Sequence, residues 1–208
     1  MFISFEGIDF CGKTTQVELL KKYLLNNNKK VEIIREPGGT KISETIRNVL
    51  LDKSHNKMYM ETEIFLFSAS RAQLVREKIR PYLENGFYVI SDRFHDSTTA
   101  YQGFGRGIPL DIVEKINMLA IGDTIPDLTY FINIPVEEAE KRKSMKEKNE
   151  LDRIEISERE FFEKVKHGYL DIAKKEKRYR IIDGTQNIEE IHNQIIKELM
   201  IAEKKEIL

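Results

Sequence analysis

The chain has 208 residues, 33% of them charged, with Lys+Arg 34 against Asp+Glu 35. That length suits a single domain with a core of ordinary size, and the near-cancelling charge offers no general attraction to nucleic acid or a membrane surface. One cysteine excludes an internal disulfide and fits a reducing interior, no run approaches the ~18 apolar residues of a membrane span, and no basic segment precedes an apolar stretch at the N-terminus, so a soluble, cytoplasmic protein without a signal peptide is expected.

In chain order, "MFISF" (1–5) reads as a buried strand and 13–25 as a helix with Val17, Leu20 and Leu24 on one face, stopped by Asn26–Asn28. "VEIIR" (31–35) is a second strand, "EPGG" a turn and 42–51 a helix. A long helical stretch covers about 60–85, with Pro81 as a kink or boundary. "FYVIS" (87–91) is a third strand, Ile112, Ile116 and Leu119 mark the inner face of a helix that Gly122 can end, and "LTYFINI" (128–134) is a fourth strand. After a polar stretch, Ser157 and Glu160 have capping-box spacing ahead of a helix lined by Phe162, Val165, Tyr169 and Ile172. "YRIID" (179–183) is a fifth strand, and Asn187 starts a last helix with Ile188, Ile191, Ile195 and Leu199 inward. Five strands alternating with helices predict an α/β fold, a five-stranded parallel sheet with helices on both faces. Ligands of such sheets bind beyond the carboxyl ends of the strands, and there the chemistry-bearing segments fall: 7–15, 35–40 and 92–106.

Gly7-Ile8-Asp9-Phe10-Cys11-Gly12-Lys13-Thr14 matches G-x-x-x-x-G-K-[ST] between a strand and a helix, the context that gives the motif its meaning. Its glycines let backbone N–H groups turn toward one point, the helix adds its positive end, Lys13 reaches the outer phosphates, and the Thr14 hydroxyl, next to Thr15, can ligate Mg²⁺. A nucleoside triphosphate site follows. Cys11, beside a helix start, is either a thiol of lowered pKa or simply one of the loop's free positions; no second cysteine exists to resolve it.

Asp92 ends an apolar strand, the pattern of a carboxylate that helps hold Mg²⁺, and Arg93 follows with a planar fork suited to a phosphate. Arg35, before a rigid Pro-Gly-Gly turn, is either a further phosphate ligand or an exposed partner of that turn. Phe67 and Arg71 lie four apart on one helical face, either as a base-stacking and base-reading pair or as a core ring with a solvated charge. His55, His95, His167 and His192 lack metal-ligand spacing.

The segments "FEGIDFCGKTT", "REPGGT", "FLFSASRAQ", "DRFHDSTTAYQGFGR", "PDLTYFI" and "ELDRIE" occur in the order found in thymidylate kinases. From about residue 2 to 173 the chain resembles that family, most closely its bacterial and archaeal form. The resemblance implies a P-loop NTP hydrolase fold of nucleotide-kinase type, transfer of the γ-phosphoryl of ATP to dTMP with Mg²⁺ in dTTP biosynthesis, and a homodimer formed through helices that include the one carrying Phe67. It implies that Asp9 contacts the deoxyribose 3′-hydroxyl, Phe67 stacks on thymine, and Arg71 reads the base edge. It further implies that Arg93, assisted by Arg35, clamps the dTMP phosphate, and that Ser97, Thr98, Tyr101 and Gln102 wall the base and sugar.

The stretch 140–155 carries Lys141, Arg142, Lys143, Lys146, Lys148 and Arg153. It is either a solvated face or a lid at about 141–156 that brings positive charge to a triphosphate and excludes water. In the family resemblance one branch carries an arginine inside the phosphate loop, where this chain has Phe10, and the other carries its catalytic cation in the lid. The chain fits the second, with Arg142 or Arg153 favoured over Lys146 or Lys148. Three rival readings are a kinase for another nucleotide, a GTPase, for which the Asn-Lys-x-Asp signature is missing, and a non-catalytic nucleotide-binding module.

Overall fold

The computed structural model describes residues 1–145, 147 and 151–206. Its centre is β1 (Phe2–Glu6), every residue of which is buried. Around it lie β2 (Val31–Arg35), β3 (Tyr88–Asp92), β4 (Leu128–Asn133) and β5 (Tyr179–Asp183), in the order β2-β3-β1-β4-β5 and all parallel. Successive side chains alternate between faces. Phe2, Ile34 and Val89 join one apolar cluster, and Ile3, Phe5 and Ile90 join the other. The expected doubly covered parallel sheet is present, and its strands match the sequence reading to within a residue.

The helices are α1 (Lys13–Asn26), α2 (Lys41–Leu51), α3 (Met60–Leu74), α4 (Arg80–Glu84), α5 (His95–Thr98), α6 (Leu110–Ile121), α7 (Val136–Lys143), α8 (Arg159–Lys175) and α9 (Ile188–Glu206), with π-helical segments at Val75–Ile79 and Thr99–Gly105. No helix among the described residues is long and apolar enough to cross a membrane. Val17, Leu20 and Leu24 of α1 pack with Ile191, Ile195 and Leu199 of α9 on one face; Leu74, Val75, Ile79, Ala120 and Ile121 cover the other.

Helix boundaries follow the sequence expectation in part. The long stretch expected over 60–85 is helical without interruption from Met60 to Glu84, and it widens to a π segment at Val75–Ile79 just before Pro81. The expected cap at Ser157 and Glu160 does not form. Helix α8 starts at Arg159 with no side-chain cap, and the Ser157 amide is used by Ile154 O in the preceding turn. A reciprocal box forms instead at α9, where the Glu190 amide donates to Asn187 Oδ1 (2.9 Å) and the Asn187 amide to Glu190 Oε2 (3.4 Å). Ile188 is exposed rather than inward. Helix α6 ends at Gly122 as expected. Val113, Asn117 and Ala120 face inward, while Ile112 and Leu119 are exposed, Leu119 to 80%. Apolar residues also lie outside that face, at Ile112, Met118 and Leu119, so their spacing alone does not choose it. Asn117 decides it, because its amide satisfies His95 O and Thr99 Oγ1 (both 3.2 Å).

Strand register brings the site together. Phe5 and Arg35 both pair with Asp92, so the exits of β1, β2 and β3 lie side by side at the carboxyl edge of the sheet.

Candidate active site

The loop from Gly7 to Gly12 leaves β1 and delivers the chain to α1. Gly7 is at φ 144° beneath the Ile132 carbonyl, 2.7 Å from where a Cβ would sit, so only glycine fits there. Lys13 is buried, and its Nζ donates to Gly7 O (3.2 Å) and Ile8 O (3.0 Å), which folds the ammonium back over the loop. Cys11 is also buried, packed in the core rather than offered to solvent.

Lys13 and Arg93 line one cavity of about 410 Å³. Asp9, Phe10, Gly12, Thr14 and Thr15 line it from the loop, Arg35 and Asp92 from the strand exits, and Phe67 and Arg71 from α3. Ser97, Thr98, Tyr101 and Gln102 line it from α5 and the π segment behind it. Every residue that the sequence places on the mononucleotide side therefore reaches the same space.

Arg93 adopts φ 70°, unusual for a residue with a Cβ. The Phe94 amide, donating to Glu6 Oε1 (2.7 Å), and the Arg93 amide, donating to Phe5 O (2.9 Å), hold it there. Its guanidinium donates to Gly7 O (2.8 Å), Asp9 Oδ1 (2.5 Å) and Tyr101 Oη (3.0 Å). Burial opposes the charge on Asp9, but Arg93, Lys13 and the Tyr101 hydroxyl outweigh it and keep the carboxyl below the usual range. Asp9 likewise outweighs burial at Arg93 and raises its pKa well above normal. Arg71 is 1% exposed and donates to Glu36 Oε2 (2.6 Å) and Thr98 Oγ1 (2.8 Å). Arg35 is half exposed and paired with Glu44 at 2.9 Å, a surface contact weak enough to be exchanged for a phosphate.

Thr14 Oγ1 donates to Asp92 Oδ2 (2.8 Å) at the cavity edge. A hydroxyl and a carboxylate are hard oxygen donors, the pair Mg²⁺ takes when substrate phosphates and water complete its shell. Among the described residues no group of three or more His, Cys, Asp or Glu side chains could hold a metal ion.

The two arginines expected to compete for the catalytic role separate. Arg142 lies on the last turn of α7, lines the cavity, and donates to Phe10 O (3.3 Å) and Gly184 O (3.2 Å). Arg153 does not reach the cavity. It is buried, donates to Leu50 O (2.8 Å), and lies 2.6 Å from Glu63 Oε2 as a charge contact rather than an aligned hydrogen bond. Lys146 and Lys148 fall outside the described residues.

Residues at and behind the cavity that carried no site assignment in the sequence include Arg47, Glu6, Tyr169 and Glu63. Arg47 of α2 lines the cavity and donates to Pro37 O (2.9 Å). Glu6 is fully buried and accepts from Phe94 N, Ser97 Oγ (2.6 Å) and Tyr169 Oη (3.0 Å). Burial, and next the Asp96 charge, push its carboxyl up to about 7. Tyr169 accepts from Arg93 (3.2 Å), and Glu63 sits behind Gln102. A charged residue ending an apolar strand was the one available signal, at Glu6; the others have the spacing of ordinary helix positions.

A family model described as thymidylate kinase matches residues 5–195. The chain belongs to the thymidylate kinase family. It is 48% identical over 206 residues to the thymidylate kinase of Kosmotoga olearia, covering 99% of this chain and 98% of that one. It is 52% identical over 195 residues to that of Thermosipho melanesiensis, covering 94% and 95%. The crystal structure of thymidylate kinase from Ehrlichia chaffeensis superposes with a TM-score of 0.76 at 37% identity, over 96% of this chain and 98% of that one. The fold is thus that of the P-loop nucleotide kinases, and the chain is a thymidylate kinase in fold, family and enzyme class.

Proposed function

We propose that the cavity holds ATP and dTMP end to end and moves the γ-phosphoryl between them, giving ADP and dTDP on the route to dTTP. The observation that carries this is the shared cavity of Lys13 and Arg93. The loop amides, the N-terminus of α1 and Lys13 take the triphosphate tail. Arg93, with Arg35 and Arg47 beside it, takes the monophosphate and aims one of its oxygens at the γ-phosphorus. That oxygen forms the new P–O bond as the bond from the γ-phosphorus to the β,γ-bridging oxygen breaks. The acceptor is already anionic near neutral pH, so no general base is needed. Catalysis is positioning and charge neutralisation.

Thr14 and Asp92 would hold Mg²⁺, which supplies positive charge to the phosphates when bound. Phe67 stacks on the base, Arg71 and Gln102 face its edge, and Tyr101, Ser97, Thr98 and Asp9 enclose the sugar. Arg142 is the cation for the transferring phosphoryl, favoured because it alone of the two candidate arginines lines the cavity. The whole chain, 1–208, acts as one kinase domain in the cytoplasm, with a lid at about 141–156. A homodimer through α3 and α6 is supported by Phe65, Ile112 and Leu119, apolar and exposed on those helices.

The deciding experiment is a panel of nucleoside monophosphates with ATP and Mg²⁺, read as ADP formed. dTMP should be turned over fastest. Equal rates across the panel, or ATP consumed without any acceptor, would overturn the reading.

A further inference from the structure

Behind the base-facing wall lies a buried carboxylate outside the cavity. Glu63, in the first turn of α3, is 1% exposed. Its Oε1 accepts from Gln102 Nε2 (2.9 Å) and from Arg106 Nε (3.1 Å), and its Oε2 faces Arg153 Nη2 at 2.6 Å. Burial alone would protonate such a group. Arg106, the Gln102 amide and Arg153 outweigh burial and hold its pKa below the usual range.

An ionised carboxylate has no hydrogen to donate. Gln102 must therefore turn its NH₂ toward Glu63, and its carbonyl oxygen is left over. That oxygen has no protein partner among the described residues and is not sealed from solvent, and Gln102 lines the cavity. An acceptor held in this way suits a base whose ring edge carries an N–H at N3, as thymine and uracil do. It opposes cytosine, whose N3 is itself an acceptor.

We propose that Glu63 sets the choice of base, as a positioning residue that locks the Gln102 amide with its oxygen toward the pyrimidine N3. The inference rests on the reading of the cavity as a dTMP site. It also gives Arg153 a purpose, since with Arg106 it keeps Glu63 anionic, and so keeps Gln102 in one orientation.

The test is Glu63→Gln, with kcat/KM measured for dTMP and for dCMP. A neutral amide at 63 can donate as well as accept, so Gln102 is free to flip. The dTMP:dCMP ratio should fall about tenfold or more, roughly the discrimination of one well-placed hydrogen bond, through loss on dTMP and retention or gain on dCMP. If Glu63→Gln does not fold, Glu63→Asp carries the same test, since it keeps a charge for the arginines but withdraws it from Gln102 by one methylene. A merely structural role would lower both activities in proportion, and an unchanged ratio in a folded variant overturns the proposal. A wild-type enzyme with no preference for dTMP would instead remove the reading beneath it.

Discussion

Arg142 and Arg153 have equal claims in the sequence, two arginines flanking one polar excursion, and the structure gives them opposite surroundings. Arg142 is partly exposed on α7 and lies against the phosphate loop, its Nη1 only 4.0 Å from where a Cβ on Gly12 would project. Positive charge there meets charge that builds up only as the phosphoryl moves, so it should act on kcat more than on binding. Arg142→Ala is expected to lower kcat by about 10²–10³ while the KM for dTMP stays within a few-fold, read by steady-state kinetics with dTMP varied at saturating ATP. Unchanged turnover would remove Arg142 from the reaction. Arg153→Ala removes a buried partner of Glu63 and is expected to cost about 1–3 kcal/mol of stability, measured by urea unfolding. A full Arg142-like loss of kcat with wild-type stability would reverse the two roles. Residue type and region were legible in the sequence for both. Which one faces the phosphates was not, because that depends on where α7 ends and on a carboxylate far away in the chain, Glu63.

At the scale of elements, the motifs that line the cavity read clearly and the residues packed behind them did not. The loop 7–14 and Asp92-Arg93 stand out because their chemistry needs particular residues at fixed spacing, whereas the Phe67–Arg71 pair is assigned only through the family resemblance. Glu6, Glu63 and Tyr169 act across the fold; only Glu6, a charge ending an apolar strand, carries a local mark. The faces of α6 escape a sequence reading for a related reason: its apolar residues suit either side, and the polar contacts of Asn117 choose. The wall around the nucleotide depends on such a contact between elements. The π segment Thr99–Gly105, which carries Tyr101 and Gln102, lies against α8 at Gly168, where an added Cβ would sit 2.7 Å and 2.8 Å from Phe104 ring atoms and 3.0 Å from its Cβ. The ring is held close to the backbone there and has little room to yield. Alanine favours the helix by about 1 kcal/mol over glycine, but overpacking costs about 1–3 kcal/mol. Gly168→Ala should therefore be destabilised by up to about 2 kcal/mol and, by pushing the segment off α8, should raise the KM for dTMP but not for ATP. Thermal melts and kinetics with each substrate varied check both parts; a rise in both KM values would contradict the local mechanism.

For the whole molecule, net charge is close to zero, so the pH dependence of folding is governed by its buried groups. Glu6 and Glu36 are both enclosed, and in both burial outweighs the arginine nearby, Arg93 for the first and Arg71 for the second, so that each carboxyl is raised to about 7 from 4.5. A raised carboxyl binds its proton more tightly folded than unfolded. The stability it contributes is complete below about pH 4.5 and is lost as pH rises to about 7, at most about 3 kcal/mol for each group. His95 acts the other way, burial lowering it to about 4 from 6.5, so its contribution is present above pH 6.5 and lost as pH falls. Burial lowers the part-buried His192 in the same direction, so below pH 6.5 two imidazoles work against the two carboxyls and soften the decline, which is steeper from 6.5 to 7, where the histidines no longer titrate. Urea unfolding at pH 5, 6, 7 and 8 should show stability falling with pH, and Glu6→Gln with Glu36→Gln should flatten most of that slope. The loss belongs to the free enzyme. A ligand that binds only the folded enzyme stabilises it by mass action, so the same titration at saturating dTMP should start from a higher plateau. Stability that rises from pH 5 to 8 in the free enzyme would mean both carboxyls are ionised in the fold, with Arg71 and Arg93 outweighing burial.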